Sequence, residues 1–224
     1  GFKTLIIDMD SQASTTSLFG YIPDEDIDEE STVLPYTLYG EKNSLHYAVR
    51  KTHIDGLFLI PANQYLSSSE FEAASQISGS GREAAVEYFQ RLQDGIETIK
   101  NDYDFIFVDA PPSLGIIGIQ TLLSVDNIVI PCPPRMLDFV STRQFLQTAT
   151  DYIASVAKDK VFNSIKVMVS MYDKKNSKSK EFFEVFQTPW EADKPDRRIT
   201  ENMKHLFSEI CRDLINRNTR NGQK

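Results

Sequence analysis

Three aspartates stand where two apolar runs end. Leu5-Ile6-Ile7 leads into Asp8-Met9-Asp10-Ser11-Gln12-Ala13-Ser14. Phe105-Ile106-Phe107-Val108 leads into Asp109-Ala110-Pro111-Pro112-Ser113-Leu114-Gly115. Short, near-continuous apolar runs rich in β-branched and aromatic residues read as buried strands. In open α/β sheets, ligands bind beyond the carboxyl ends of the strands. A carboxylate delivered there is a hard oxygen donor. It suits Mg²⁺ held through water, or a water aimed at a phosphoryl group. One such strand end alone reads as a solvated turn or a helix cap. Two together, each followed by turn and small residues, point to nucleotide triphosphatase chemistry.

The elements that position these carboxylates follow from periodicity. Apolar runs recur at residues 5–7, 57–60, 105–108, 127–130 and 165–169. Being near-continuous rather than alternating, they suit strands buried on both faces of a parallel sheet. Between them, Val86, Phe89, Leu92, Ile96 and Ile99 recur at helical steps, as do Met203, Leu206, Phe207, Ile210 and Leu214. Strands alternating with helices predict an α/β protein with a doubly wound, mostly parallel sheet. The acidic run at 24–30 reads as a solvated loop. Ser78-Gly79-Ser80-Gly81 reads as a flexible connection, and 174–180, with four lysines, as an exposed loop.

Composition narrows the classes. The chain has 224 residues, 41% hydrophobic and 25% charged, which suits a globular fold and excludes disorder throughout. No apolar run approaches the roughly 18 residues that span a bilayer, and no signal peptide opens the sequence. Cys132 and Cys211 are too far apart in sequence to suggest a disulfide framework or a CxxC metal site. A net charge of -8 argues against a uniformly basic nucleic-acid binder but leaves room for a local basic patch.

With those motifs in view, the chain resembles the ParA family of partition ATPases. Residues 8–14 look like its D-x-D-P-Q-A-S motif, with Ser11 in place of the proline, and residues 109–115 like its Walker B motif, D-x-P-P-S-L-G. Leu18-Phe19-Gly20-Tyr21, Thr37-Leu38-Tyr39-Gly40, the stretch from Gly56 to Asn63 and Pro133-Pro134-Arg135-Met136-Leu137-Asp138 are similar to the RepA-type members from large replicons. The resemblance implies ATP and Mg²⁺ as cofactors. It makes Asp10 the catalytic carboxylate that orients the attacking water, and Asp109 the residue that holds Mg²⁺ through water. It places Asp8, Pro111, Ser170 and Met171 in nucleotide binding, Asp8 as a support for Mg²⁺ or the P-loop. Pro111 and Pro112 fix φ and would stiffen a nucleotide-sensing segment; a plain rigid turn is the alternative.

The family's phosphate loop, K-G-G-x-G-K-[ST]-[ST], occurs nowhere in the 224 residues. In the family it lies some twenty-odd residues before the D-x-D-P-Q strand, so the first strand, P-loop and helix are expected to be missing from this chain. The expectation is a single ATPase core over 1–224, incomplete at its start and near 187–188, with 197–224 a C-terminal helix and basic tail. Lys174, Lys175, Lys178 and Lys180, with Arg197, Arg198, Arg212, Arg217 and Arg220, concentrate positive charge in the last third. Of these, Lys174, Lys175, Arg212, Arg217 and Arg220 are candidates for DNA phosphate contact. A solvated face is the plainer explanation. His46, His53 and His205 show no ligand spacing and no paired nucleophile, and Cys132 reads as a packed thiol.

The resemblance implies a cytoplasmic, nucleoid-associated protein for DNA partition. It would dimerise with ATP, bind DNA non-specifically and hydrolyse ATP when a ParB-like centromere-binding protein stimulates it. Whether this chain is itself an ATP hydrolase stays open without the Walker A loop. A nucleotide-free DNA-binding regulator is one alternative. A MinD-like membrane-associated ATPase, with 203–214 as an amphipathic anchor, is another; core packing is the plainer use of that stripe, and no membrane partner is expected.

Overall fold

The computed structural model describes residues 1–157 and 160–171. The described chain forms two compact units, Gly1–Val125 with Tyr152–Lys160, and Asp126–Asp151 with the described residues from Val161 onward. The 187–188 junction, the 203–214 stripe, the tail from 197 and the basic residues from Lys174 on lie outside the described residues.

The first unit is built on a four-stranded sheet in the order β2-β3-β1-β4. Its strands are β1 (Thr4–Asp8), β2 (Arg50–Lys51), β3 (Leu57–Ile60) and β4 (Phe105–Asp109). β1 is central and runs parallel to β3 on one side and β4 on the other. β2 adds one short antiparallel rung to β3. Only β2, too short and too basic to read as a strand, was invisible to periodicity.

Leu5 and Ile7 point to one face of β1 and are fully buried, with Ile60, Leu66, Leu92, Ile96 and Ile99 in the same core. Each such side chain contributes about 2 kcal/mol of burial. That face is covered by helix α4 (Tyr65–Glu97), with α3 (Leu34–Thr37) packed against it. Arg91 of α4 donates to the carbonyls of Thr37 and Leu38, satisfying the end of α3.

The other face differs from expectation. On β4, Phe105 and Phe107 are 48% and 59% exposed, so β4 is not buried on both faces among the described residues. Residues two apart share one face, and Thr4 and Ile6, which pair with Phe105 and Phe107 on the central strand β1, are also only partly buried, so the exposure belongs to this face of the sheet. Phe2 and Phe105 meet edge to face, and Phe105 and Phe107 stack, so the exposed aromatics shelter one another only in part.

The stretch read as a flexible connection, 78–81, is part of α4. Gly81 interrupts the helical geometry, so α4 is two helical stretches meeting at a kink. Gly81 has φ 80 and ψ 173, a conformation open essentially to glycine alone. Nothing lies within 4 Å of a Cβ built there, so the constraint is backbone strain, not crowding. Gly81→Ala is therefore expected to destabilise by about 2 kcal/mol. Thermal melting checks it. A rise in Tm would mean that the helix straightens through 81 and gains alanine's helix propensity.

The acidic run is also more ordered than a loop. Pro23–Asp26 forms α2, with proline in its first turn, and a 3-10 turn follows at Glu29–Ser31, while Ile27 between them is buried. Proline and three acidic residues suit a helix start, where the dipole favours negative charge.

The second unit pairs β5 (Asn127–Cys132) in parallel with β6 (Ser164–Val169), joined through α6 (Met136–Val156). Cys132 is fully buried and accepts a hydrogen bond from the Thr142 hydroxyl, while burial pushes its thiol pKa up. It is a packed thiol, as its apolar strand end suggested. The fold class is thus α/β with mostly parallel strands.

Candidate functional site

The site lies where β1 and β4 end. Parallel pairing puts Asp8 directly beside Asp109, and the Met9 N–H donates to the Asp109 carbonyl at 2.9 Å, carrying the ladder one step further. Both carboxylate-ended strands of the sequence reading therefore deliver their aspartates to one place.

Asp8 is fully buried. Its Oδ2 accepts from the Thr16 hydroxyl at 2.7 Å and the Thr16 N–H at 2.9 Å, and its Oδ1 accepts from the Asp10 N–H at 3.1 Å. Burial raises its pKa; the Thr16 and Asp10 bonds work against that, and the nearby Asp109 charge adds to it. The Thr16 hydroxyl in turn accepts from the Ala62 N–H at 2.9 Å. One side chain thus ties the ends of β1 and β3 to α1 (Ser14–Leu18).

Asp10 is half-buried and opens a tight turn. The Ala13 N–H closes the turn onto the Asp10 carbonyl at 2.9 Å, and the Gln12 N–H donates to Asp10 Oδ1 at 3.0 Å. The second side-chain bond explains how Ser11 replaces the proline of the family motif. Position i+1 of such a turn favours proline for its fixed φ, and the aspartate's own side chain supplies the missing constraint. Oδ2 of Asp10 has no hydrogen-bond partner among the described residues. Ala13 then sits at φ 50, ψ 38, a left-handed alanine costing about 1 kcal/mol, held by full burial and by the start of α1 on its carbonyl.

Asp109 is exposed, and its Oδ2 accepts from the Thr15 hydroxyl at 2.6 Å. Pro111 and Pro112 follow, and the segment turns back onto helix α5 (Ile116–Ser124). A Cβ on Gly118 would overlap the Ser113 carbonyl oxygen, which is how closely the segment rests on the helix.

No group of three or more His, Cys, Asp or Glu side chains among the described residues could cage a metal. Mg²⁺ needs no such cage. It is commonly held by one or two carboxylates, water and substrate phosphates. An exposed Asp109, with Thr15 fixing one oxygen, fits that donor set on the metal side. None of the described residues forms a phosphate-wrapping loop.

Ser170 and Met171 lie in the second unit just after β6. The Ser170 N–H donates to the Cys132 carbonyl, and Met171 is 79% exposed with φ 53. Thr15, Thr16 and Ala62 were missed by the sequence reading. The hydroxyl run Ser14-Thr15-Thr16 behind D-x-D was the available signal for the first two. Ala62 had none, because its contact spans 46 residues.

A second constellation arises away from this site. His46 has Ser44 Oγ 2.7 Å from Nδ1 and Asp102 Oδ2 2.6 Å from Nε2, a pairing not visible in the sequence. Ser44 is nevertheless committed to structure. It caps the turn Leu45–Ala48, accepts the His46 N–H and meets Thr98 Oγ1 at 3.0 Å. The His46 bond holds the Asp102 carboxyl below the usual carboxylate range. The group staples the turn Leu45–Ala48 to the turn Lys100–Asp102.

A cluster of carboxylates at adjacent strand ends of a parallel α/β sheet is the class that this geometry defines. A family model described as an AAA domain matches residues 1–164. Among curated proteins, a putative replication protein A from Rhizobium rhizogenes is 30% identical over 178 residues, 77% of this chain and 44% of that protein. Protein SopA of Escherichia coli K12 is 29% identical over 191 residues, 85% of this chain and 46% of that protein. The chain thus spans just under half the length of these two relatives. Among solved structures, cobyrinic acid a,c-diamide synthase from Mycobacterium smegmatis, with bound ATP analog and magnesium, superposes with a TM-score of 0.69 at 22% identity, covering 100% of this chain and 86% of that one. A plasmid partition protein from Borrelia burgdorferi gives 0.64 at 22% identity, over 97% and 86%. The chain belongs to this AAA-domain family and, within it, to the ParA family. Among the described residues no helix is long and apolar enough to cross a membrane.

Proposed function

We infer that this chain is the core of a cytoplasmic DNA-partition ATPase. It dimerises with ATP, binds DNA non-specifically through its basic C-terminal third and hydrolyses ATP when a ParB-like partner engages it. The observation that carries the reading is the convergence of Asp8, Asp10 and Asp109 at adjacent strand ends within a matching family model. Bound Mg²⁺ would supply charge neutralisation at the phosphates. Asp109 would hold it through water, with Thr15 fixing the carboxylate's orientation. Asp10 would accept and orient the attacking water, its backbone fixed by Asp8. Asp8 would support the metal side from beneath, through the turn that it organises. Ser170 and Met171 would contact the adenine, and Pro111 would stiffen the segment that responds to nucleotide. Lys174, Lys175, Arg212, Arg217 and Arg220 would meet DNA phosphates.

Positioning is most of phosphoryl-transfer catalysis, which suits a site made of fixed carboxylates rather than a nucleophile. The test is light scattering and DNA retention of the native protein with Mg-ATP against Mg-ADP. The expected result is a doubled mass and DNA retention with ATP only, the latter falling steeply with salt. An unchanged mass together with DNA binding indifferent to nucleotide would favour the nucleotide-free regulator instead.

A further inference from the structure

Helix α5 starts at a residue that cannot cap it. Its N-cap is Gly115, which has no side chain, so the first N–H groups need an acceptor from elsewhere. Glu70, in the first half of α4, supplies it. Glu70 Oε1 accepts from the Ile117 N–H at 3.1 Å, across 47 residues. A carboxylate at a helix N-terminus also meets the positive end of the helix dipole.

The same contact explains the glycine. Gly115 has φ -74 and ψ -169, an ordinary conformation for any residue. A Cβ there would overlap Glu70 Oε1, and the other carboxylate atoms lie at 3.0 Å. What approaches Gly115 closely is therefore the Glu70 side chain.

The five residues between Asp109 and Gly115 are thus held at both ends. Asp109 is fixed to β1 through the Met9 N–H. Gly115 and the first turn of α5 are fixed to α4 through Glu70. Between the anchors, Pro111 and Pro112 restrict φ, and the Ser113 carbonyl rests on Gly118. So short and stiff a tether transmits movement instead of absorbing it.

We propose that Glu70 is a positioning residue for Asp109, anchoring the far end of the Asp109 segment and coupling it to α4. The proposal rests on Asp109 being the Mg²⁺-side carboxylate, and its test separates the two. Glu70→Gln keeps an acceptor oxygen, whereas Glu70→Ala leaves the Ile117 N–H without one. Amide hydrogen exchange of the chain is expected to rise about tenfold in Glu70→Ala from Leu114 to Gly118 and to extend back to Ala110, and to return near wild type in Glu70→Gln. In the native protein, Glu70→Ala should lower kcat for ATP about tenfold with KM within about twofold, and Glu70→Gln should restore it.

Exchange unchanged, confined to Ile116 and Ile117, or not rescued by glutamine would overturn the proposal; so would a normal kcat in Glu70→Ala. A wild-type protein without any ATP hydrolysis would sink the partition reading, and the exchange arm would still decide the anchor. Should Glu70→Ala fail to fold, Gly115→Ala displaces the same carboxylate from the other side. It must then loosen the same amides.

Discussion

Asp10→Ala is expected to leave ATP binding within about threefold of wild type and to lower turnover by about 10²-fold or more. Asp10 is the one carboxylate of the three that is neither buried nor taken up by a side-chain hydroxyl. Asp8 spends both oxygens on protein donors, and Asp109 Oδ2 is held by Thr15. Asp10 uses Oδ1 to brace its own turn, and Oδ2 has no hydrogen-bond partner among the described residues. Alanine removes both oxygens, so turn geometry and water orientation are lost together. Asp10→Asn separates them, because its amide oxygen can still accept the Gln12 N–H while the charge is gone. Phosphate release and nucleotide binding, measured on the native protein, decide. Loss of turnover in both variants assigns the effect to the carboxylate. A normal rate in Asp10→Asn would reduce Asp10 to a turn residue, and a normal rate in Asp10→Ala would remove it from the chemistry.

The site was legible in the sequence to the extent that it is local. Asp8, Asp10 and Asp109 each end an apolar run, so period and composition revealed both the strands and the carboxylates that they deliver. Five of the six strands among the described residues were found this way, and α4 was found through Val86 to Ile96. What escaped depends on chain segments far apart. Thr16 matters because Ala62 comes to it, and Glu70 because Ile117 does. Neither spacing leaves a mark on a single sequence. The glycines were legible in part: Gly81, at φ 80 and ψ 173, does separate two helical stretches, but as a kink at one residue rather than as a linker over 78–81. Likewise β4 reads as doubly buried because Phe105 and Phe107 are apolar, whereas which face of the sheet is covered is a tertiary property, and among the described residues their face is not.

Thr16→Val should be the most destabilising substitution near the site, at about 4 kcal/mol. Valine has the same shape, so packing is preserved and the loss is polar. The Asp8 carboxylate loses a charge-assisted bond in a fully buried position. The Ala62 N–H, also buried, loses its acceptor. Thr16→Ser keeps the hydroxyl and should cost only about 1 kcal/mol for the missing methyl group. Urea denaturation with unchanged m checks both values.

The pH dependence tests the cause. Burial already lifts Asp8 above the ordinary aspartate value of 3.8, so the folded state binds more protons than the unfolded state just above that value. Stability contributed by Asp8 therefore falls as pH rises from 3.8 through the folded-state pKa. Removing the hydroxyl removes a bond that favours the charged form, so the pKa rises further and the fall continues to higher pH. The Thr16→Val penalty should accordingly be larger at pH 7 than at pH 4. An equal penalty at both would mean that Asp8 carries no charge in the fold, and that the clasp is an ordinary neutral hydrogen bond. A larger one at pH 7 ties the ionised Asp8 to the placement of α1. Because α1 also carries Thr15 to Asp109, the same substitution should loosen the carboxylate assigned to Mg²⁺.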